Sequence, residues 1–289
     1  MRGLFATNLI RGKFRQKLKR VYYRSKSFIS RNILAYDRKD LERALLELGL
    51  CEGDTVMVHA SFDAFNGFNG NAQDVVSCFL ELIGEEGNLL MVSMPYTSSS
   101  LEYFRTKPVF DLRRTMSKMG LISEIFRRRK DVLRSLNPSH PVLAWGKDRE
   151  WIVEDHQKCP YPCGTGSPFH KFHRLKGKIL FFDVPFRTFT FIHYIEDLMK
   201  DRLPFPLYHE NTFSAQVKDL GGKEIMVPTH VFSEQAFTTR NPVILEKELI
   251  KRKALKRKRV GNTNLMLLNA ADAVQCSYQM LDSGRTFYN

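Results

Sequence analysis

The side chains able to move a proton or hold a phosphate fall in four places. His140 stands between Pro138 and Pro141 at the entrance to the apolar run VLAW, just after a loop rich in Arg and Ser. An imidazole there has the residue type for general acid–base work, and nearby Arg134 and Ser135 have the type for an anion. His193 and Glu196 are three apart, so a helix puts both on one face, as half of a metal site, an acid–base pair or a solvated polar pair. Cys159 and Cys163 bracket Pro-Tyr-Pro within reach of a metal, but no second Cys/His pair of matching spacing accompanies them. Two packed thiols in a proline-rich loop, and no metal, are the expectation. Lastly, the Gly/Asn-rich loop FNGFNGN runs into a helical pattern, whose free N–H groups can hold phosphate oxygens. It lacks the Gly-Lys-Ser/Thr of an NTPase loop and the GxGxxG of a dinucleotide fold, and such a loop is often just a turn.

The elements that must position these groups follow from periodicity. Leu41, Ala44, Leu45 and Leu48 mark a helix that Gly49 can end, and Gly53-Asp54 turns into a strand over Thr55–His59. A helix is expected from about Ala72 to Ile83 and a buried strand over Asn88–Met94. LISEIFRRRKDVLR reads as a basic amphipathic helix, KILFFDV as a strand and TFTFIHYIEDLMKDRL as the start of another helix. Phe213–Leu220 and Lys223–Pro228 read as a hairpin around Gly221-Gly222, and a last helix is expected over Ala270–Leu281. Strands alternating with helices, plus one late hairpin, predict an α/β or mixed three-layer domain.

At 289 residues, with 43% hydrophobic and 12% aromatic residues, the chain can bury a large core, which excludes disorder for its bulk. No apolar run approaches 18–20 residues, and no signal-peptide pattern is read at the N-terminus. Five scattered cysteines argue against a disulfide framework and for a reducing cytoplasm. The net charge of +14 is concentrated: residues 1–39 hold twelve Lys/Arg against one Asp, and Lys247–Arg259 eight against one Glu. The remaining body is mildly acidic, and the second patch lacks interleaved aromatics, so nucleic acid is not the expected partner. Leu4, Phe5, Leu9, Ile10, Phe14, Leu18, Val21 and Tyr22, with basic residues between them, describe a basic amphipathic helix within residues 1–35. Residues 1–36 are therefore read as an extension and 37–289 as the domain proper. The extension has three readings: contact with an anionic membrane surface, which would place the protein at the inner face of the membrane, docking on a partner, or a solvated helix.

The wording and order of GDTVMVHASF, LIGEEGNLLMVSMP, FDLRRTMSKMG, EIFRRRKDVLRSLNPSHPVLAWG, PCGTGSPFHK, GKILFFDV and TFIHYIEDL resemble the antibiotic acetyltransferase family, the aminoglycoside 3-N-acetyltransferases and their relatives, from about Asp37 to Leu281. The resemblance implies a three-layer α/β/α-type domain with a mixed central sheet, acetyl-coenzyme A as donor and an aminosugar amine as acceptor. It aligns His140 with the last histidine of a Ser-x-His-Pro-x-His motif, as general base. It aligns Glu196 with a His-x-x-Glu helix, and leaves open whether that carboxylate serves His140 or His193. His59, Ala60, Ser61, Gly70, Asn71 and Ala72 resemble the coenzyme A contact region, with Arg134, Ser135, Ser117 and Lys118 as further donor contacts. Tyr96 and Asp111 are candidates to face the acceptor.

The departures fall mainly on the acceptor side. Asn137 replaces the motif's first histidine, Ala60 the first serine of a His-Ser-Ser, and Thr115-Met116-Ser117 a Thr-Pro-Ser. VPFRTFTF stands where relatives carry a small polar run, making the acceptor side more apolar and, through Arg187, more cationic. The first expectation is an acetyl-coenzyme A-dependent N-acetyltransferase acting on an aminoglycoside or related aminosugar. The alternatives are an acetyltransferase on a sugar of a cell-surface glycan pathway, or a non-catalytic peripheral membrane protein on the same fold. A hydrolase using Ser61 is disfavoured, because no GxSxG surrounds it. Oligomeric state is left open.

Overall fold

A computed structural model describes residues 28–30, 32–63 and 66–289. The basic helix expected within residues 1–35 lies almost wholly outside these. Tyr36, at the end of the expected extension, belongs to the body: it is buried, and its hydroxyl meets Thr263 Oγ1 at 2.7 Å. Among the described residues no helix is long and apolar enough to cross a membrane.

The centre is a seven-stranded mixed sheet in the order β4-β5-β2-β1-β6-β10-β9. Its strands are β1 (Thr55–Ala60), β2 (Asn88–Val92), β4 (Leu133–Arg134), β5 (Val142–Gly146), β6 (Lys178–Phe182), β9 (Lys256–Val260) and β10 (Thr263–Asn269). The middle strands β2, β1 and β6 are parallel, and the flanking pairs are antiparallel. A separate three-stranded sheet holds β3 (Val109–Asp111), β7 (Phe213–Lys218) and β8 (Glu224–Thr229), the last two forming the expected hairpin.

Alternation along the parallel strands builds the layers. Val56, Val58, Leu89, Met91, Leu180 and Phe182 point to one face, against the helices Arg38–Leu48, Ala72–Ile83 and Leu121–Arg127. Met57, Leu90, Val92, Ile179 and Phe181 point to the other, against Pro168–Arg174, Ile192–Met199, Pro242–Lys251 and Ala270–Asp282. Strands buried on both sides read as continuous apolar runs, as these do. Capping fixes the starts of the first two helices. Asp37 with Asp40 and Asn71 with Asp74 form reciprocal capping boxes, and Gly49 at φ 112° ends the first helix in the left-handed conformation.

Two expectations change. The helix expected over residues 121–134 stops at Arg127, and Leu133–Arg134 instead pairs with Ala144 and Leu143 of β5. Its last turns would have carried mostly charge, and the ladder gives that backbone partners a solvated helix end lacks. Part of the basic run 247–259 becomes the edge strand β9, where Lys258 pairs with Glu47 and Arg257 with Glu246 at 2.6 Å. A charged edge strand resists pairing with another chain, so this run has a structural use.

At the β2–β5 pairing, Gly146 adopts φ 110°, and a Cβ there would lie 2.0 Å from the Gly87 carbonyl oxygen. Gly146→Ala is expected to destabilise the protein by at least ~1–3 kcal/mol, the usual scale for a strained non-glycine backbone. Urea unfolding checks this; an unshifted midpoint would show that the pairing relaxes freely.

Candidate active site

The cleft opens at the carboxyl ends of β1, β2 and β6, where the chain leaves β1 for neighbours on either side, the usual location for ligands in open α/β sheets. One lobe, of about 360 Å³, is lined by Tyr96, His140, Arg187, His193, Phe232 and Arg240 among others. A second, of about 230 Å³, is lined by His59, Ala60, Lys118, Ser123 and Val184 among others. Met119, Thr188 and Thr190 line both, so the two are neighbouring compartments of one site.

The turn SLNPSHP delivers His140. Asn137 is fully buried, and its Oδ1 accepts from the backbone N–H groups of Ser139 and His140 at 3.0 and 2.9 Å, which fixes the turn. Ser139 Oγ lies 2.5 Å from His140 Nδ1, leaving Nε2 without a protein partner. Ser135 closes the turn onto β5: its hydroxyl accepts from Val142 N–H and meets Nδ1 of buried His156, whose Nε2 donates to the Pro162 carbonyl.

The helix Ile192–Met199 delivers the second histidine. His193 Nδ1 donates to Glu196 Oε2 at 2.8 Å, so the carboxylate serves His193 and not His140. The two imidazoles lie 5.4 Å apart, edge to face. Glu196 is completely buried; its Oε1 also accepts from Arg240 Nε at 2.5 Å and from the Tyr288 hydroxyl. Burial alone would raise the Glu196 pKa, but the Arg240 charge and the His193 hydrogen bond hold it below the usual 4.5, so the group is ionised. Burial also works against the Arg240 charge, and Glu196 more than offsets it. Both histidines are pushed below 6.5, first by burial; His193 and His156 add to this at His140, and Arg240 adds to it at His193. They are therefore neutral near pH 7, with lone pairs free to accept protons.

Not every expected residue reaches this cleft. His59, Ala60 and Lys118 line the second lobe; His59 Nε2 is buried without a partner, and burial pushes this imidazole down to about 4. Tyr96 is in the first lobe, stacked on Tyr103 with ring centres 4.6 Å apart. Arg134 lines neither lobe, and its Nε is buried without a partner. Its guanidinium donates to the carbonyls of Thr115 and Ser93 at 2.6 and 2.7 Å, beneath the Phe110 ring, and is not presented to a phosphate. Ser135 is spent on Val142 and His156, and Ser117 on Ser123 and the N–H of Met119. At Gly70, Asn71 and Ala72 the helix start is occupied by its own capping box, so the Asn71 and Asp74 side chains take the donors a phosphate would need. Ser61 is exposed beyond β1 and lines neither lobe. Asp111 accepts from the N–H groups of Arg113 and Arg114, a turn cap outside the cleft. Cys159 and Cys163 are free, buried thiols, and no metal-binding cluster occurs among the described residues.

Arg240, Tyr288 and Phe232 were not foreseen. Arg240 and Tyr288 lie 44 and 92 residues from the glutamate they hold, and neither sits in a motif. An arginine in a Thr-Thr-Arg-Asn-Pro run and a tyrosine near the chain end carry no local mark of a site.

Fold and cleft together define a three-layer α/β protein with a carboxylate-backed histidine site at the ends of its central parallel strands. The model of the aminoglycoside 3-N-acetyltransferase family matches residues 57–282, and the chain belongs to that family. It is 28% identical over 184 residues to the SPbeta prophage-derived aminoglycoside N(3')-acetyltransferase-like protein YokD of Bacillus subtilis (58% of this chain, 66% of that protein). It is 30% identical over 173 residues to an aminoglycoside N(3)-acetyltransferase III of Salmonella (56% and 60%). Both alignments thus span less than two thirds of the relative. The fold matches the solved binary complex of AAC-IIIb with CoASH, with a TM-score of 0.73 and 22% identity over 87% of this chain and 98% of that one.

Glu196→Gln would leave the Arg240 guanidinium buried without its counter-charge, and a loss of ~3–5 kcal/mol is expected. Chemical denaturation checks it, and a loss below ~1 kcal/mol would show that the guanidinium is stable unpaired. His59, His140, His156 and His193 are all held below 6.5, chiefly by burial. Below that value the unfolded chain binds protons that the folded one does not, so stability falls with pH. The thermal midpoint should drop between pH 7 and about pH 5.5; a flat profile would mean these imidazoles charge freely in the fold.

Proposed function

We propose that the protein transfers an acetyl group from acetyl-coenzyme A to an amine of an aminoglycoside or related aminosugar. The observation that carries this reading is the pair of neutral, buried imidazoles, one backed by an ionised glutamate, where two lobes of one cleft meet. Family membership supports the chemistry, and a CoASH-bound relative of the same fold supports the donor. The lobe at the end of β1 takes the thioester end of the donor, and the lobe lined by His140 and His193 takes the acceptor.

An ammonium must lose a proton before its nitrogen can attack. In the tautomer whose Nδ1–H donates to Ser139, His140 Nε2 carries the lone pair that takes this proton. The amine nitrogen attacks the thioester carbonyl, the C–N bond forms, the C–S bond breaks, and the sulfur leaves as coenzyme A thiol on receiving a proton. No acyl-enzyme is required. A second reading is favoured by the Glu196 contact: with Nδ1–H given to the carboxylate, His193 Nε2 is the lone pair with a fixed tautomer.

Release of free thiol from acetyl-coenzyme A against a panel of aminoglycosides and simple aminosugars tests the activity. Silence on every amine rejects it. His140→Ala is expected to lower kcat by ~10²–10⁴-fold with coenzyme A affinity kept. If His193→Ala does this and His140→Ala does not, the base is His193. With either base the acid limb of the kcat/KM profile should lie below pH 6.5, the value from which both groups are lowered.

A further inference from the structure

Arg187 is the one cation on the acceptor lobe's lining with no carboxylate against it among the described residues, because Glu196 meets the Arg240 charge from behind. The lobe's polar lining consists of hydroxyls, the two imidazoles and the guanidinium groups of Arg187 and Arg240, and no Asp or Glu of the described residues lines it. Arg240 has a side chain only 9% exposed; Glu196 takes its Nε, while its Nη2 is buried without any hydrogen-bond partner. An unmet donor on a buried cation is costly unless something occupies it. Arg187 is exposed, has no carboxylate within ion-pair distance among the described residues, and sits where the lobe opens. It also lines an adjoining groove of about 670 Å³ that carries Arg257, Lys258 and Arg259, together with Asp183 and Glu246. Glu246 is paired with Arg257 and Lys258 with Glu47.

We propose that Arg187 and Arg240 form an anion subsite, and that the acceptor is an amine carrying a phosphate, of the aminosugar-phosphate class, in place of a polycation. The proposal rests on the acetyl-transfer reading and narrows its substrate. A guanidinium fork suits phosphate oxygens; Arg187 brings the unpaired charge and Arg240 an unused N–H, and a lining without Asp or Glu gives the ammonium groups of a polycation no partner. Arg187 and Arg240 share the acceptor lobe with His140. The donor's phosphates, the other source of the same chemistry, lie a whole pantetheine arm from the thioester and so away from this lobe.

The test compares glucosamine 6-phosphate with glucosamine on the full chain, by thiol release and by calorimetric titration into protein saturated with coenzyme A. The phosphate is expected to win in both assays. Arg187→Gln should lower its kcat/KM by about 10- to 100-fold, the scale of a charge-assisted contact, with Arg187→Lys recovering part. Equal turnover of the two sugars, or a preference for a polycationic aminoglycoside, overturns the subsite and leaves acetyl transfer standing. A raised KM for acetyl-coenzyme A in Arg187→Gln, with the acceptor KM unchanged, assigns the anion to the donor and also overturns it. If no amine turns over while glucosamine 6-phosphate binds in an Arg187-dependent way, the subsite stands and the acetyl-transfer reading falls. Neither turnover nor selective binding overturns both.

Discussion

A fully buried carboxylate is the constraint around which the site is arranged. Glu196 has no access to solvent, so its charge survives only because three donors, two of them from distant parts of the chain, reach it. His193 comes from its own helix, Arg240 from the loop after Glu234–Thr239, and Tyr288 from the last residues of the chain. The same loop and chain end are stitched together by a backbone bridge between Arg240 and Tyr288 and by the Asn241 N–H donating to Phe287 O. The requirement to satisfy one anion thus closes one wall of the lobe lined by His140 and His193 and brings Arg240 to it.

The opposite wall is set by backbone geometry. His140 is held by a turn whose hydrogen bonds are nearly all local, made by Asn137, Ser139 and Ser135, and by the pairing of β5 with β2. Ser93 N–H donates to the Pro141 carbonyl, tying that turn to the end of β2, from which Tyr96 reaches the lobe. A short polar turn docked on a buried strand can hold a ring to the tolerance that proton transfer needs. Asn137 fills two backbone donors here, a task that a side-chain carbonyl oxygen performs without further partners.

The departures from the family pattern have different physical weights. Ala60 leaves the lobe at the end of β1 less polar without adding charge. Arg187, beside Phe186 and Phe189 in a segment whose phenylalanines are buried, adds a positive charge to the lobe lined by His140 and His193. Charge outweighs small changes in polarity in a site of low dielectric, so on the proposed function Arg187 weighs more on acceptor preference than Ala60 does.

The layers, most helix starts and strands, and the elements that carry His140 and His193 were legible in the sequence, because caps, apolar runs and helical spacing are set by neighbours a few residues apart. The strand expected over Asn88–Met94 and the helix expected over Ala72–Ile83 differ from the observed elements by two residues or fewer. Where charge runs replaced apolar periodicity, the local reading failed, as after Arg127, where the helix ends and Leu133–Arg134 joins a strand ladder. The fate of polar groups was likewise not local. Arg134, Ser135 and Asn71 have the chemistry of phosphate ligands, but Ser135 and Asn71 spend their hydrogen bonds on nearby protein groups, and Arg134 gives both terminal nitrogens to backbone carbonyls. Sequence alone determined which residue types were available and which elements carry them. Only the tertiary structure decided that Glu196 serves His193, that Arg240 and Tyr288 complete the site, and that a guanidinium N–H is left over, because hydrogen-bond satisfaction of a buried charge is settled by groups brought together across the whole chain.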